Sequence, residues 1–291
     1  MNGDPFALDT SRVRASFDAA AAGYDAVAVV QAEVRRRLLE RLELFRIRPR
    51  RILDAGCGTG HGARALLQHY RGSKLIALDL APAMLLAARG RRPWLRRLDL
   101  VCGDAAEVPL GDATVDLVFS NLMLQWCNEP DRVFAEFHRV LRPGGLVLFT
   151  SFGPDTLKEL RAAWGAVDGL THVSRFIDMH DLGDALLRAG LGEPVMDMEH
   201  LTLTYPDARS LMRDLKTMGA TNATSGRSRG LTGRERLAAV ESNYERLRKD
   251  GRLPATWEVV YGHAWAGAPR ARAGGSPGEV AVPLSRIGRR G

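Results

Sequence analysis

The chain has 291 residues, 45% of them hydrophobic and 26% charged, with a formal net charge of +7; this is ordinary for a globular protein that buries one large core or two smaller ones. Its apolar runs, such as that at residues 146–149, are all too short to cross a bilayer. Cys57, Cys102 and Cys127 show neither CxxC nor Cys/His ligand spacing, which argues against a disulfide framework and a zinc site and suits a reducing compartment.

The N-terminus, MNGDPFALDTSRVR, has no apolar run and carries Asp4 and Asp9. It reads neither as a secretory signal nor as a transit peptide, and the expected location is cytoplasmic. Much of the positive charge sits in Arg35 to Arg37, Arg46, Arg48, Arg50, Arg51 and the tail arginines, a balance that favours an acidic partner. No RNP aromatics, KH GxxG or zinc finger accompanies it, so neither nucleic acid nor a membrane is the expected partner.

Residues 28–45 place Val30, Val34, Leu38, Leu42 and Phe45 at helical spacing. From residue 50 short apolar runs alternate with helical stretches. Strands are expected at 51–55, 74–80, 98–102 and 115–120, and helices at 62–70 and 82–91, the second with Pro82 in its first turn. A helix at 130–141 should stop at Pro143-Gly144-Gly145, before a strand at 146–151. Such alternation implies parallel strands with right-handed crossovers, and near-continuous apolar strands agree, because parallel sheets are covered on both faces. Further on, the pattern predicts helices at 155–166 and 178–189, a long strand at 195–205, helices at 207–218 and 232–248, and a last strand at 256–265. The tail, 267–291, is rich in Gly, Pro and Arg and reads as poorly ordered.

The strongest motif is LDAGCGTGHG at 53–62. Asp54 ends the first strand, and Gly56, Gly58 and Gly60 alternate before a helix, where tight turning and close ligand approach require backbone without Cβ. A GxGxxG dinucleotide fingerprint would need glycine at 61, but that residue is His61. The loop instead looks like the methyltransferase version, with a methionine end replacing a pyrophosphate. Asp79 ends the second strand 19 positions beyond Gly60, the place for a carboxylate that accepts ribose hydroxyls. Asp104 follows the third strand, placed for an adenine amino group, and Ser120 and Asn121 end the fourth beside the amino-acid part. Cys57, Leu80 and Ala105 complete the expected cofactor contacts. Each polar group alone could be a helix cap; together they line the carboxyl ends of the strands, where open α/β sheets bind ligands.

The motifs LDAGCGTG, ALDLAPAML, VDLVFSNLMLQWC and LRPGGLVLFTSFG resemble class I S-adenosylmethionine-dependent methyltransferases over roughly residues 45–155. The flanking segments RVRASFDAAAAGYD, SNLMLQWC, FGPDTLKELRAAWGAVD, HVSRF, LKTMGATN and LPATWEVVYGHAW are similar to the malonyl-acyl-carrier-protein O-methyltransferases of biotin synthesis. The resemblance covers nearly the whole chain except its ends. It implies a doubly wound, mostly parallel seven-stranded sheet with an antiparallel strand. It also implies a helical lid at 1–45, a donor-binding core at 46–206, a capping helical insertion at 207–250, the last strand at 251–266 and a basic tail at 267–291. The implied reaction esterifies the free carboxylate of a malonyl thioester on acyl carrier protein, with S-adenosyl-L-methionine as methyl donor and no metal.

That reaction needs orientation more than acid–base chemistry, because a carboxylic acid of pKa ~4 is already an anion at neutral pH. It calls for a carboxylate grip, for which Arg175 is the first choice and His172 a second donor. Tyr24, on the segment that resembles the family's lid, would touch the substrate or cap the sulfonium, and Gln125 and Trp126 would wall the transfer site. His172 and Trp126 also read as structural. Trp257, Tyr261 and Trp265 share one face of a strand and read as core. Arg139, Arg142, Lys158, Arg161, Arg213 and Lys216 are the candidates for docking an acidic carrier protein. The competing readings are a quinone or small-acid methyltransferase and a non-methylating assembly factor of the same fold.

Overall fold

The computed structural model describes residues 4, 6–92, 97–227, 230 and 232–267. The expected tail lies outside them from residue 268 onward. Three helices come first: α1 (Thr10–Ala20), α2 (Tyr24–Val27) and α3 (Val29–Leu42). The strand–helix core follows as β1 (Arg51–Ala55), α4 (His61–His69), β2 (Lys74–Asp79), α5 (Pro82–Gly90), β3 (Leu98–Cys102), β4 (Val115–Ser120), α6 (Pro130–Val140) and β5 (Leu141–Phe152). Then come α7 (Lys158–Gly165), α8 (Met179–Arg188), β6 (Leu191–Tyr205), α9 (Ala208–Thr217), α10 (Arg234–Glu245) and β7 (Leu253–Ala266).

The seven strands form one sheet in the order β3-β2-β1-β4-β5-β7-β6. The first five are parallel, and β7 runs antiparallel to both β5 and β6. Side-chain alternation sends neighbouring residues to opposite faces. Ile52, Phe119 and Leu148 enter one core with Val34, Leu38 and Leu66, while Leu53, Val118 and Val147 enter another with Phe134, Phe137 and Leu182. The helical spacing read in α3 is real: Val30, Val34, Leu38 and Leu42 are all buried, and Phe45 packs edge-on against His263, with ring centroids 4.7 Å apart.

The differences from the expected boundaries have local causes. Helix α6 stops at Val140, before Pro143-Gly144-Gly145, and β5 already begins at Leu141, which pairs with Val115. Pro143 and the two glycines then bulge before Leu146 resumes pairing with Leu117. Helix α7 starts at Lys158, three residues late, because the Leu157 amide is taken by Thr256 O at 2.7 Å and Leu157 itself is left-handed at φ 56. Strand β7 starts early, with Leu253 opposite Tyr205. Among the described residues no helix is long and apolar enough to cross a membrane.

Candidate active site

The sheet order reverses between β1 and β4, and the carboxyl ends of the strands diverge there to leave a crevice. A cavity of about 280 Å³ fills it. Gly56 and Gly58 line it from the turn after β1, Asp79 and Leu80 from the end of β2, Asp104 and Ala105 after β3, and Asn121 after β4. Helix α1 and Tyr24 contribute from the N-terminal side.

The three glycines of the turn serve different ends. All have positive φ, at 74, 51 and 86 for Gly56, Gly58 and Gly60. A Cβ on Gly56 would lie 2.4 Å from Met123 Cγ, and one on Gly60 would lie 2.7 Å from Ala88 Cβ. A Cβ on Gly58 would meet nothing within 4 Å; its bare edge faces the cavity, where a ligand can approach the backbone. The turn is fixed by Asp79, whose Oδ2 accepts from Gly58 N at 2.8 Å and whose Oδ1 accepts from Ala81 N at 2.9 Å. Cys57 is buried, and burial pushes its thiol well above the ordinary value. A raised pKa makes it a poor nucleophile.

Asp54 is 2% exposed at the end of β1, and its Oδ2 has no hydrogen-bond partner. Burial first, then the negative charge of Asp79, pushes its carboxyl up to about 7. Asp54 is not itself among the lining residues, but three other buried polar atoms without partners do belong to cavity-lining residues: Gln31 Oε1, Gln125 Oε1 and Trp257 Nε1. Buried polar groups are normally satisfied, so a polar ligand fits this cavity. The glycine edge, the carboxylates at two strand ends and Asn121 match the donor groups of a sulfonium nucleoside carrying ribose, adenine and an amino acid.

Comparison with known proteins decides the family. A methyltransferase-domain family model matches residues 53–149. A malonyl-[acyl-carrier protein] O-methyltransferase of Laribacter hongkongensis is 56% identical over 277 residues, covering 92% of this chain and 93% of that one. Its counterpart in Methylovorus is 52% identical over 278 residues, covering 94% and 93%. The chain belongs to the malonyl-[acyl-carrier protein] O-methyltransferase family. In fold it also resembles a candidate methyltransferase of Bacillus halodurans, with TM-score 0.58, 18% identity and coverage of 79% of this chain and 99% of that one.

Tyr24, Gln125 and Trp126 all line the inner cavity. Burial first, then the charge of Asp79, pushes the Tyr24 phenol above its ordinary value, so it stays protonated. Gln125 Nε2 donates to Leu122 O at 2.6 Å, and Trp126 meets Phe17 of α1 edge-on at 5.1 Å. Asn121 is set by Thr150, whose Oγ1 donates to its Oδ1 at 3.1 Å. Asp104 is exposed at the cavity's rim, accepting from Ala106 N at 2.9 Å. Ser120, like Asp54, Cys57 and Gly60, lies outside the lining; it is fully buried and donates to Ala55 O at 2.9 Å.

Arg175 and His172 line a second, outer cavity of about 870 Å³, which shares Gln125, Cys127 and Asn128 with the inner one. His172 is committed there, with Nε2 2.8 Å from Asp168 Oδ1 and its ring stacked on Trp164 at 3.7 Å. Arg175 is exposed, with its guanidinium 6.0 Å from the Phe6 ring centroid.

Two docking candidates are corrected. Arg139 is bound to Glu136 and Asp112, and Arg142 to Asp116, which also accepts the Arg50 and Arg51 amides at the amino end of β1. Both therefore sit at the end of the sheet opposite the cavity. Arg161 donates to Pro154 O and Thr156 O, and Lys158 pairs with Asp155, whereas Arg213 and Lys216 are exposed on α9.

Sequence reasoning missed Gln31, Trp257 and Arg35. Trp257 is core by burial, as read, but also lines the inner cavity. Arg36 and Arg37 pair with Glu33, and Arg37 also with Glu199, while half-buried Arg35 has no such carboxylate partner among the described residues; desolvation lowers its pKa, and its charge acts on Tyr24 and Asp54. A run of three arginines gives no sign of which one turns inward. Among the described residues, the one grouping with metal-ligand spacing is Asp155, His200 and Glu258, outside both cavity linings.

Proposed function

We propose that the protein transfers a methyl group from S-adenosyl-L-methionine to the free carboxylate of a malonyl group held as a thioester on acyl carrier protein. The product is the malonyl methyl ester that primes synthesis of the pimeloyl precursor of biotin. The observation that carries this reading is the 56% identity, across 92% of the chain, to a relative bearing that name. The strand-end cavity lined by the glycine edge, Asp79 and Asn121 supports it.

The donor, when bound, supplies an electrophilic methyl on a positive sulfur. Asp79 would accept its ribose hydroxyls and Asp104 its adenine amino group, with Leu80 and Ala105 flanking the base. Gly56, Cys57, Gly58 and Gly60 shape the backbone against the methionine part. Asn121 and the charges of Asp54 and Arg35 act on its amino-acid end, and Ser120 sets the strand end that carries Asn121. Residues 1–45 and 207–250 serve as lid and cap over the core at 46–206, and the last strand at 251–266 completes the sheet.

No general base is needed, since the acceptor is already a carboxylate anion. Transfer joins a cation and an anion into two neutral groups, so excluding water lowers the barrier as charge is cancelled. Tyr24, Gln125 and Trp126 wall that dry space. Arg175, whose guanidinium makes no hydrogen bond or ion pair among the described residues, would guide the malonyl carboxylate from the outer cavity. His172, tied to Asp168 and stacked on Trp164, holds part of that cavity's wall. The thioester arm lies in the outer cavity and the acidic carrier protein outside it, in the cytoplasm.

The test is transfer of labelled methyl to malonyl carrier protein. Label in a base-labile ester is the expected result, and no label on any acyl carrier would overturn the proposal.

A further inference from the structure

The N-terminal helices and the segment after α9 form one body above the inner cavity. Ser16 Oγ lies 3.0 Å from Thr221 Oγ1, and a Cβ on Gly219 would come within 3.1 Å of Ala20 Cβ. Asp9 N donates to Ala223 O at 2.9 Å, and Leu8 bridges Thr224. This body is clasped to the donor-binding framework by side chains from both sides of the contact. Asp18 Oδ1 accepts from Ala83 N at 2.8 Å at the start of α5, and Asn128 exchanges two hydrogen bonds with the backbone of Leu8.

The clasp that carries charge is Asp25. Its Oδ1 accepts from Thr59 Oγ1 at 2.7 Å, its Oδ2 takes Arg91 Nη2, and His61 Nε2 stands 3.4 Å away. Arg91 Nη1 also donates to Thr59 O at 3.1 Å, closing the triangle. Thr59 is 3% exposed and lies between Gly58 and Gly60 in the turn that shapes the donor cavity. Asp25 directly follows Tyr24, which lines that cavity. One carboxylate thus ties the lid to the glycine turn and to the end of α5 at once.

We infer that Asp25 is a positioning residue that latches the lid over the bound donor, so that the spent donor leaves only when the contacts to Thr59 and Arg91 open. This rests on the donor assignment proposed above. The latch holds Tyr24 against the donor and keeps the two bodies together during transfer; it touches no reacting atom. Removing it frees the lid without emptying the core, because Asp25 is an exposed residue on a four-residue helix.

The test is the dissociation rate of S-adenosylhomocysteine from the full chain, followed by stopped-flow tryptophan fluorescence, with thermal melts alongside. Asp25→Ala should release it about 10-fold faster, on the scale of one or two lost hydrogen bonds, and raise the donor KM by more than it lowers kcat. Thr59→Val, which keeps both Asp25 and Arg91, should speed release in the same direction. The double variant should release little faster than Asp25→Ala alone, because both changes open one contact. Release as slow as wild type from both single variants, or fully additive effects, would overturn the latch. A wild-type protein that does not bind S-adenosylhomocysteine would instead sink the donor assignment.

Discussion

At the residue scale, Asp54 is a carboxylate that the fold ionises at a cost. Its carboxyl is pushed from an ordinary 3.8 up to about 7 by burial and by Asp79. A folded-state value raised in this way contributes stability that is fully present below about pH 4 and is lost as pH rises through about 7. Ligand-free Asp54→Asn should therefore melt on the order of several degrees higher than wild type at pH 8, with the gap closing toward pH 4, measured by calorimetric melts. On the proposed donor assignment, the donor's ammonium would favour the ionised carboxylate. Donor binding at pH 6 should then release a proton, detectable as buffer-dependent heat, and affinity should fall as pH drops below about 7. Arg175 gives a second prediction. Arg175→Ala should cut kcat/KM for malonyl carrier protein by about 100-fold, as expected for a lost charge-assisted grip, and leave S-adenosylhomocysteine affinity unchanged. Unaltered turnover would remove Arg175 from the carboxylate grip.

At the scale of elements, the turn from β1 to α4 separates two costs that a glycine can hide. Gly60→Ala forces a Cβ to within 2.7 Å of Ala88 Cβ at φ 86, and it should destabilise the fold by about 1–3 kcal/mol. Gly58→Ala meets no neighbour within 4 Å, so its stability cost should be only the about 1–2 kcal/mol of a left-handed residue. Its Cβ enters the space assigned to the ligand, so donor affinity should fall more steeply than stability. Urea titration and calorimetric binding of the two variants separate these effects. The motif spacing showed that this turn exists, because three alternating glycines after a strand have few other uses. It could not show that Gly60 answers to packing and Gly58 to the cavity, since α5 reaches the turn only through the fold. The late start of α7 was hidden for the same reason: Thr256, nearly a hundred residues away, takes the Leu157 amide.

At the scale of the whole molecule, the parallel core was legible because β1, β2 and β4 are apolar on both faces and are punctuated by Pro and Gly. That one strand runs antiparallel came from resemblance, while the order of the strands was not legible, as periodicity says nothing of which strands are neighbours. The split into two cavities was not legible. Arg175 and His172 lie more than a hundred residues from Tyr24 in the sequence, and only the packed chain shows that they line the outer space while Tyr24 lines the inner one. The Arg139 and Arg142 assignments failed similarly, since strand direction decides which end of the sheet a charge occupies. The proposed role of the inner cavity as the seat of the sulfonium donor is open to titration calorimetry of the purified chain with S-adenosylhomocysteine. We predict saturable heat with one molecule bound per chain, weakened in Gly58→Ala; a flat titration at neutral pH would contradict the account.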